Sequence, residues 1–331
     1  MSTIARLCGV GLLLGLLATV LLKNMLADEL TVDHRQRALL IGLDGVQYEQ
    51  LEQVIGAGQA PNIGRFQPKM AYTGGITGTT TEQPTLSGPG WTTVLTGTWA
   101  DRHRIISNDS GMRTKADSLF KLISHSSPTR HSASIVGWNP INDNFAEDVL
   151  TGDIELAIKC GGDDQCVVDR TTRELEAGNL DFIFVQLDQP DTVGHENGFG
   201  PSYQTAIAEV DHKVGQILEA LEERKQSRPE ENWLVILTTD HGRQAPDGYH
   251  HGGQSRSEKT AFIGLNQSAN KVLTQPDSAP VDQGMDGLYG FASLTDIAPT
   301  VLAHMRIALD PQRPQMQGVS LIDPVDRPQR P

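Results

Sequence analysis

The stretch "ALLIGLD", Ala38 to Asp44, is an apolar run of strand length that stops on an acid. Such a run reads as a buried β-strand, because β-branched and large apolar side chains fill both faces of a covered sheet. Two further stretches repeat the pattern. "LDFIFVQLDQPD" (residues 180–191) runs out into Asp188 and Asp191, and "WLVILTTDH" (residues 233–241) into Asp240 and His241. Helix-like stretches fill the intervals. The span Ser202 to Arg224 is one, with Ile207, Val210, Val214, Ile217, Leu218 and Leu221 at helical spacing as a core-facing stripe. Alternation of this kind predicts an α/β fold: a doubly wound, mostly parallel central sheet with helices on both faces. In open sheets of that type ligands bind outside the carboxyl ends of the strands. The strand-end acids are therefore expected to converge on one crevice.

The chain has 331 residues and a formal net charge of -14, from 41 acidic and 27 basic side chains. That balance argues against routine binding of a nucleic-acid duplex, which needs clustered Lys and Arg. An acidic protein that handles an anion needs a local positive charge, and a bound metal is the simplest source. Residues 7–22, "LCGVGLLLGLLATVLL", lie between Arg6 and Lys23 and are almost wholly apolar. They read as an export signal or as a retained membrane anchor, with residues 1–27 preceding a single catalytic domain over residues 28–331. Either reading puts the protein outside the cytoplasm, periplasmic or extracellular. Cys160 and Cys166, in "KCGGDDQCVVD", then read as a local disulfide. Pro311 to Pro331 form a Pro-rich, extended tail.

A second stretch bears on chemistry. In "TEQPTLSGPGWTTVLTGTW" (residues 81–99), Ser87 precedes two glycines, Pro89 and an apolar run able to open a helix. A serine there is either an N-cap in a surface turn or a hydroxyl held where an anion would settle, at the positive end of the helix. Gly88 and Gly90 are expected to let a substrate approach the backbone closely. In "SLTDIAPTVLAHM", Thr295 is expected to cap a later helix.

Carboxylates and imidazoles recur around the strand ends. Asp191 and His195 form an Asp-x-x-x-His pair, Asp240 and His241 are adjacent, and His250-His251-Gly-Gly follows. Oxygen and nitrogen donors of this kind suit zinc. Two sets can be drawn: Asp191, His195 and His251 around one ion, and Asp44, Asp240 and His241 around the other, with Ser87 bridging toward the second.

With these motifs in order, from "LLIGLDG" through "GPGWTTVLTGTWADRHRIISN", "QPDTVGHENGFGP" and "LTTDHG" to "TDIAPTVL", the sequence resembles the alkaline phosphatase superfamily, and most of all its nucleotide pyrophosphatase/phosphodiesterase branch. The resemblance implies that Asp44, Ser87, Asp240 and His241 hold one zinc and Asp191, His195 and His251 the other. It gives Ser87 the role of nucleophile and Asn108 that of a donor to a phosphoryl oxygen. The "HGG" pattern favours His251 over His250. Two departures stand out: the branch usually carries threonine where this chain has Ser87, and Trp91 takes the place of the arginine in the sulfatase Cys/Ser-x-Pro-x-Arg motif. The expected function is a metal-dependent hydrolysis of phosphoric esters, of phosphodiester or nucleotide pyrophosphate bonds, on a small anionic substrate through a phosphoserine intermediate. A phosphomonoesterase, a sulfatase-like hydrolase and a non-catalytic anchored binding protein are the alternatives.

Overall fold

The computed structural model describes residues 36–109, 111–274, 284–309 and 316–322. The apolar segment at 7–22 and most of the Pro-rich tail lie outside the described residues. Eight strands form one sheet in the order β4-β3-β5-β1-β6-β7-β2-β8. They are β1 Gln36–Leu43, β2 Lys69–Tyr72, β3 Ser132–Val136, β4 Leu156–Lys159, β5 Phe182–Leu187, β6 Asn232–Thr238, β7 Thr260–Leu265 and β8 Ala292–Ser293. The expected mostly parallel sheet is present. Only β7 breaks the rule, running antiparallel to both β6 and β2.

The reason lies in the connection. Residues 239–259, between β6 and β7, hold only a short helix, Arg256–Lys259, and no crossover across the sheet. The chain therefore re-enters at the end it left, and antiparallel pairing follows. Asp240, His241 and His251 are all kept at the carboxyl end of β6.

The helices of eight or more residues are α1 Tyr48–Gly56, α2 Ser87–Thr96, α3 Leu119–Ser126, α4 Asp164–Ala177, α5 Gln189–Asn197, α6 Pro201–Ser227 and α7 Ile297–His304. Alternation along each strand splits the interior in two. Leu39, Ile41, Leu43, Val185 and Val235 pack under α1, α4 and α6 on one face. Ala38, Leu40, Phe184, Leu234 and Ile236 pack under α2, α3 and α7 on the other. The stripe expected on residues 202–224 lies wholly in the first core, on a helix that runs three residues further, to Ser227. Cys160 and Cys166 are joined by a disulfide.

One local expectation fails, and one alternative is ruled out. Thr295 is not a helix N-cap: it lies inside a 3₁₀ turn, Leu294–Asp296, which Ser293 and Asp296 close with a capping box. The serine two residues earlier supplies the box and starts the turn before Thr295 is reached. Ser87 is not an N-cap either. The cap position belongs to Leu86, in extended conformation, and Ser87 is the first residue of α2. Its hydroxyl is thereby released from capping.

Ile236 is fully buried between Leu40 and the second helical layer. Ile236→Ala is expected to lower stability by about 2–5 kcal/mol through lost burial and the cavity left behind. Urea denaturation checks this, and a loss under about 1 kcal/mol would show the central strand to be less tightly packed than described.

Candidate metal centre and nucleophile

Each strand end delivers what the sequence pattern promised. Asp44 follows β1, Asp240 and His241 follow β6, and Asp191 and His195 sit on α5, which follows β5. Asp44, Asp240 and His241 are all buried, and their donor atoms lie within 4.8 Å of one another. The donors of Asp191, His241 and His251 do likewise, so His241 adjoins both sets. His195 joins them from the solvent side, with its Nε2 3.2 Å from Asp191 Oδ2 and 3.0 Å from His251 Nε2. His250 is exposed and outside the cluster.

The imidazoles share one device. Nδ1 of His195 faces the Tyr249 carbonyl at 2.9 Å, Nδ1 of His241 the Gly242 carbonyl at 3.0 Å, and Nδ1 of His251 the Thr85 carbonyl at 2.8 Å. A carbonyl only accepts, so each Nδ1 carries the proton and each Nε2 presents a lone pair to the cluster. The Nε2 atoms of His195 and His251 lie 3.0 Å apart, close enough to share a proton or a cation. Asp240 Oδ2 points the same way: it is buried, lies 3.3 Å from His241 Nε2 and has no hydrogen-bond partner among the described residues. Its other oxygen accepts from the Gly45 amide at 3.1 Å. An orphaned carboxylate oxygen beside unprotonated nitrogens fits a divalent metal, and the oxygen and nitrogen donors are those zinc accepts.

Electrostatics agree. Burial, then the charges of Asp240, Asp191 and Asp188, push Asp44 well above the usual carboxylate range. Burial, with Asp191 adding to it, does the same to Asp240. Burial drives His241 well below the ordinary imidazole value. Asp191 is the exception. Its own burial would raise it, but the His195 hydrogen bond, the neighbouring imidazoles of His241 and His251 and the Arg243 guanidinium together hold it low.

Ser87 meets this cluster at the start of α2. Its Oγ lies 3.3 Å from Asp44 Oδ1 and 3.3 Å from His241 Nε2. Asn108 stands alongside, with its Oδ1 accepting from the Gly88 amide at 2.8 Å. The amide nitrogen of Asn108 has no partner among the described residues. Gly88 and Gly90 are needed by the protein's own packing. A Cβ at Gly88 would stand 2.4 Å from the Ser107 carbonyl oxygen, and one at Gly90 2.9 Å from Asp240 Cβ and its carbonyl oxygen. The protein's own backbone fills the space, and the glycines let α2 press against the strand end that carries Asp240.

Four residues at this site escaped the sequence reading. Trp91 Nε1 and Gln186 Nε2 donate to Asp44 Oδ2 at 2.7 and 2.8 Å and fix that carboxylate. Arg243, fully buried, donates to Asp191 Oδ1 and to the carbonyls of Gly248 and Tyr249. Gln47 accepts from the Arg243 amide at 2.6 Å. Signals existed for some. Trp91 is four residues after Ser87 and so shares its helix face. Gln186 is the one polar residue in the buried strand "FIFVQL".

With the geometry in place, comparison with known proteins bears on identity. The family model described as "Type I phosphodiesterase / nucleotide pyrophosphatase" matches residues 38–254, a span that holds every residue of the cluster. The chain belongs to this family. Family membership also places it in the alkaline phosphatase superfamily, as the resemblance implied. Among curated proteins it is similar to 2,3-bisphosphoglycerate-independent phosphoglycerate mutases. It is 29% identical to that of Trichormus variabilis over 161 residues, 48% of this chain and 27% of that protein. It is 30% identical to that of Rhodopseudomonas palustris over 155 residues, 46% of this chain and 26% of that protein. The chain thus spans about a quarter of the length of these curated relatives. Among solved structures it is similar to a 2-O GAG sulfatase, with TM-score 0.62 and 14% identity over 87% of this chain and 73% of that one. Murine ectonucleotide pyrophosphatase/phosphodiesterase 5 gives TM-score 0.58 and 14% identity over 85% of this chain and 98% of that one. At such identities the likeness is one of fold.

Two outcomes follow for this phosphodiesterase-family centre. Trp91→Phe keeps the apolar contact but removes a donor to Asp44, and should weaken binding of a divalent metal about tenfold or more, read by chelator competition. Unchanged affinity would strip Trp91 of that role. Zinc affinity should also fall on acidification, through His195 first. The Asp191 hydrogen bond raises the His195 pKa, so a proton competes for its Nε2 at a higher pH than at His241, which burial keeps neutral. Zinc titrations between about pH 5 and 8 check the sign, and affinity that rose toward acid would contradict it.

Proposed function

We propose that the protein is an exported two-zinc hydrolase of phosphoric esters that cleaves phosphodiester or nucleotide pyrophosphate bonds in small anionic substrates. The observation that carries the reading is Ser87: freed from capping, at the N-terminus of α2, and 3.3 Å from both Asp44 Oδ1 and His241 Nε2. Membership of the type I phosphodiesterase family supports phosphoester hydrolysis as the reaction class. Export is supported by the apolar segment at 7–22 and by the Cys160–Cys166 disulfide, which suits an oxidising compartment.

Asp44, Asp240 and His241 would hold one ion and Asp191, His195 and His251 the other. Bound there, the ions would supply positive charge that favours the Ser87 alkoxide and offsets the charge of a phosphoryl group. The chain does the rest. Ser87 Oγ attacks phosphorus; the Oγ–P bond forms, and the P–O bond to the leaving group breaks with its electron pair going to the leaving oxygen. Water then attacks phosphorus, the Oγ–P bond breaks, and Oγ recovers a proton. In the first turn of α2 the Gly88 N–H is given to Asn108 Oδ1, the Gly90 N–H to the Leu86 carbonyl, and Pro89 has none, so the helix would act on the phosphoryl oxygens through the positive end of its dipole. The Asn108 amide, oriented by the Gly88 N–H on its oxygen, offers its nitrogen to one of those oxygens.

A strong zinc chelator should abolish turnover and zinc should restore it. Ser87→Ala should retain fold and most zinc yet lose several orders of magnitude in kcat. Bis-aryl phosphate or a nucleotide diester should show higher kcat/KM than the aryl monoester, with aryl sulfate slower than either, and Asn108→Ala should cost about 10²-fold. A tenfold preference for the monoester together with a silent Asn108→Ala would replace the diesterase reading by a phosphomonoesterase. Ser87→Ala turnover within tenfold of wild type would remove the covalent route.

A further inference from the structure

Helix α5 carries Asp191 and His195, yet its own sequence does not cap it. Asp188, at the cap position, makes no side-chain bond to the helix N–H groups. The cap comes from elsewhere in the chain. Asp164 Oδ1 accepts from the Asp188 amide at 2.7 Å, and Asp164 Oδ2 from the Gln189 amide at 3.1 Å. Asp164 is 4% exposed, an expensive place for a carboxylate unless its charge meets oriented donors. The start of a helix supplies such donors and the positive end of its dipole.

Asp164 is in turn anchored. It opens α4, where the Asp163 side chain accepts from the amides of Gln165 and Cys166 at 2.9 and 3.1 Å. Cys166 is tied by the disulfide to Cys160, and the Cys160 amide donates to the Val136 carbonyl at 2.8 Å at the end of β3. Gly137 completes the seat, since a Cβ there would stand 3.0 Å from Asp188 Cβ and 3.2 Å from Asp164 Oδ1. A continuous set of bonds therefore runs from the disulfide through Asp164 to the first turn of the helix that presents Asp191 and His195.

We propose that Asp164 is a positioning residue for the Asp191, His195 and His251 set, and that the Cys160–Cys166 disulfide holds it in place. The inference rests on the two-metal reading above. It explains why a buried acid with no access to the cluster stands at this point of the fold: the direction of α5, and with it the reach of two donors, is set from α4. The Asp44, Asp240 and His241 set stands on β1 and β6 and meets this seat through Gln186, whose Nε2 donates to Asp44 Oδ2 at 2.8 Å and to Asp188 Oδ1 at 3.2 Å.

The test measures zinc stoichiometry and stepwise affinity by equilibrium dialysis with metal analysis, on the wild type, Asp164→Asn and the double variant Cys160→Ser/Cys166→Ser. The asparagine keeps the size of the side chain but turns one acceptor into a donor, which then faces an N–H. One zinc is expected to bind with wild-type affinity and the other about 10–100-fold more weakly. The double variant should show the same selective loss to a smaller degree, and it carries the test alone should Asp164→Asn fail to fold. A general structural role would weaken both zincs together or neither, and either result overturns the proposal. A wild type that binds no zinc would overturn the two-metal reading along with it, whereas variants that bind both zincs as the wild type does would overturn this inference alone.

Discussion

The structure depends on a charge problem. Asp44 and Asp240 are buried at the ends of neighbouring strands, with Asp191 close enough to raise both. Parallel strands that end together impose this, because the acid after each strand is delivered to the same crevice. Carboxylates in such a place are stable only if protonated or matched by positive charge. The protein supplies part of the match itself. Trp91 and Gln186 satisfy one oxygen of Asp44, the Gly45 amide one oxygen of Asp240, and Arg243 one oxygen of Asp191. On each carboxylate an oxygen is left toward the histidines, whose lone pairs face the same point. What remains unmatched has the shape of a cation site.

Fixing those oxygens to within hydrogen-bond tolerance requires the whole sheet. The strand ends hold their positions because the strands between them are buried on both faces, by α1, α4 and α6 on one side and α2, α3 and α7 on the other. Close approach does the fine setting. The Trp91 ring lies where a Cβ on Gly42 would be, 2.3 Å from it, so only glycine in β1 lets the indole reach Asp44. The absence of side chains at Gly42 and Gly90 is thus as much a part of the centre as the donors are.

What the sequence disclosed follows from this. Strand-end acids, paired imidazoles and the hydroxyl before a helix are local patterns, and the structure brings Asp44, Ser87, Asp191, His195, Asp240, His241 and His251 together, with Asn108 beside Ser87. Their supports were not legible, because each acts across the fold. Gln186 reaches Asp44 over 142 positions in sequence, and Arg243 reaches Asp191 over 52. The antiparallel β7 was hidden for a related reason: its direction is set by what the preceding loop lacks, a crossover helix, and not by any residue in the strand. Of the two readings open for Ser87, cap or anion-site hydroxyl, its place as the first helical residue removes the cap. That matters, since a capping hydroxyl would be bonded to its own helix.

The same accounting bears on the kind of anion the site would take. The net charge of -14 repels a phosphate at long range, but salt screens that field beyond about 10 Å, so the groups nearest Ser87 decide the matter. Arg243 is already paired with Asp191, and Arg113 is turned to the carbonyls of Met112 and Asp143. Apart from the ions proposed above, what the chain offers a phosphoryl group beside Ser87 is a neutral donor, the Asn108 amide. Neutral donors hold one shared negative charge well and a second poorly, because a second charge needs a cation to offset its loss of water. A diester carries one such charge and a monoester two. The diester reading therefore rests on a neutral donor beside Ser87, with Arg243 and Arg113 engaged elsewhere.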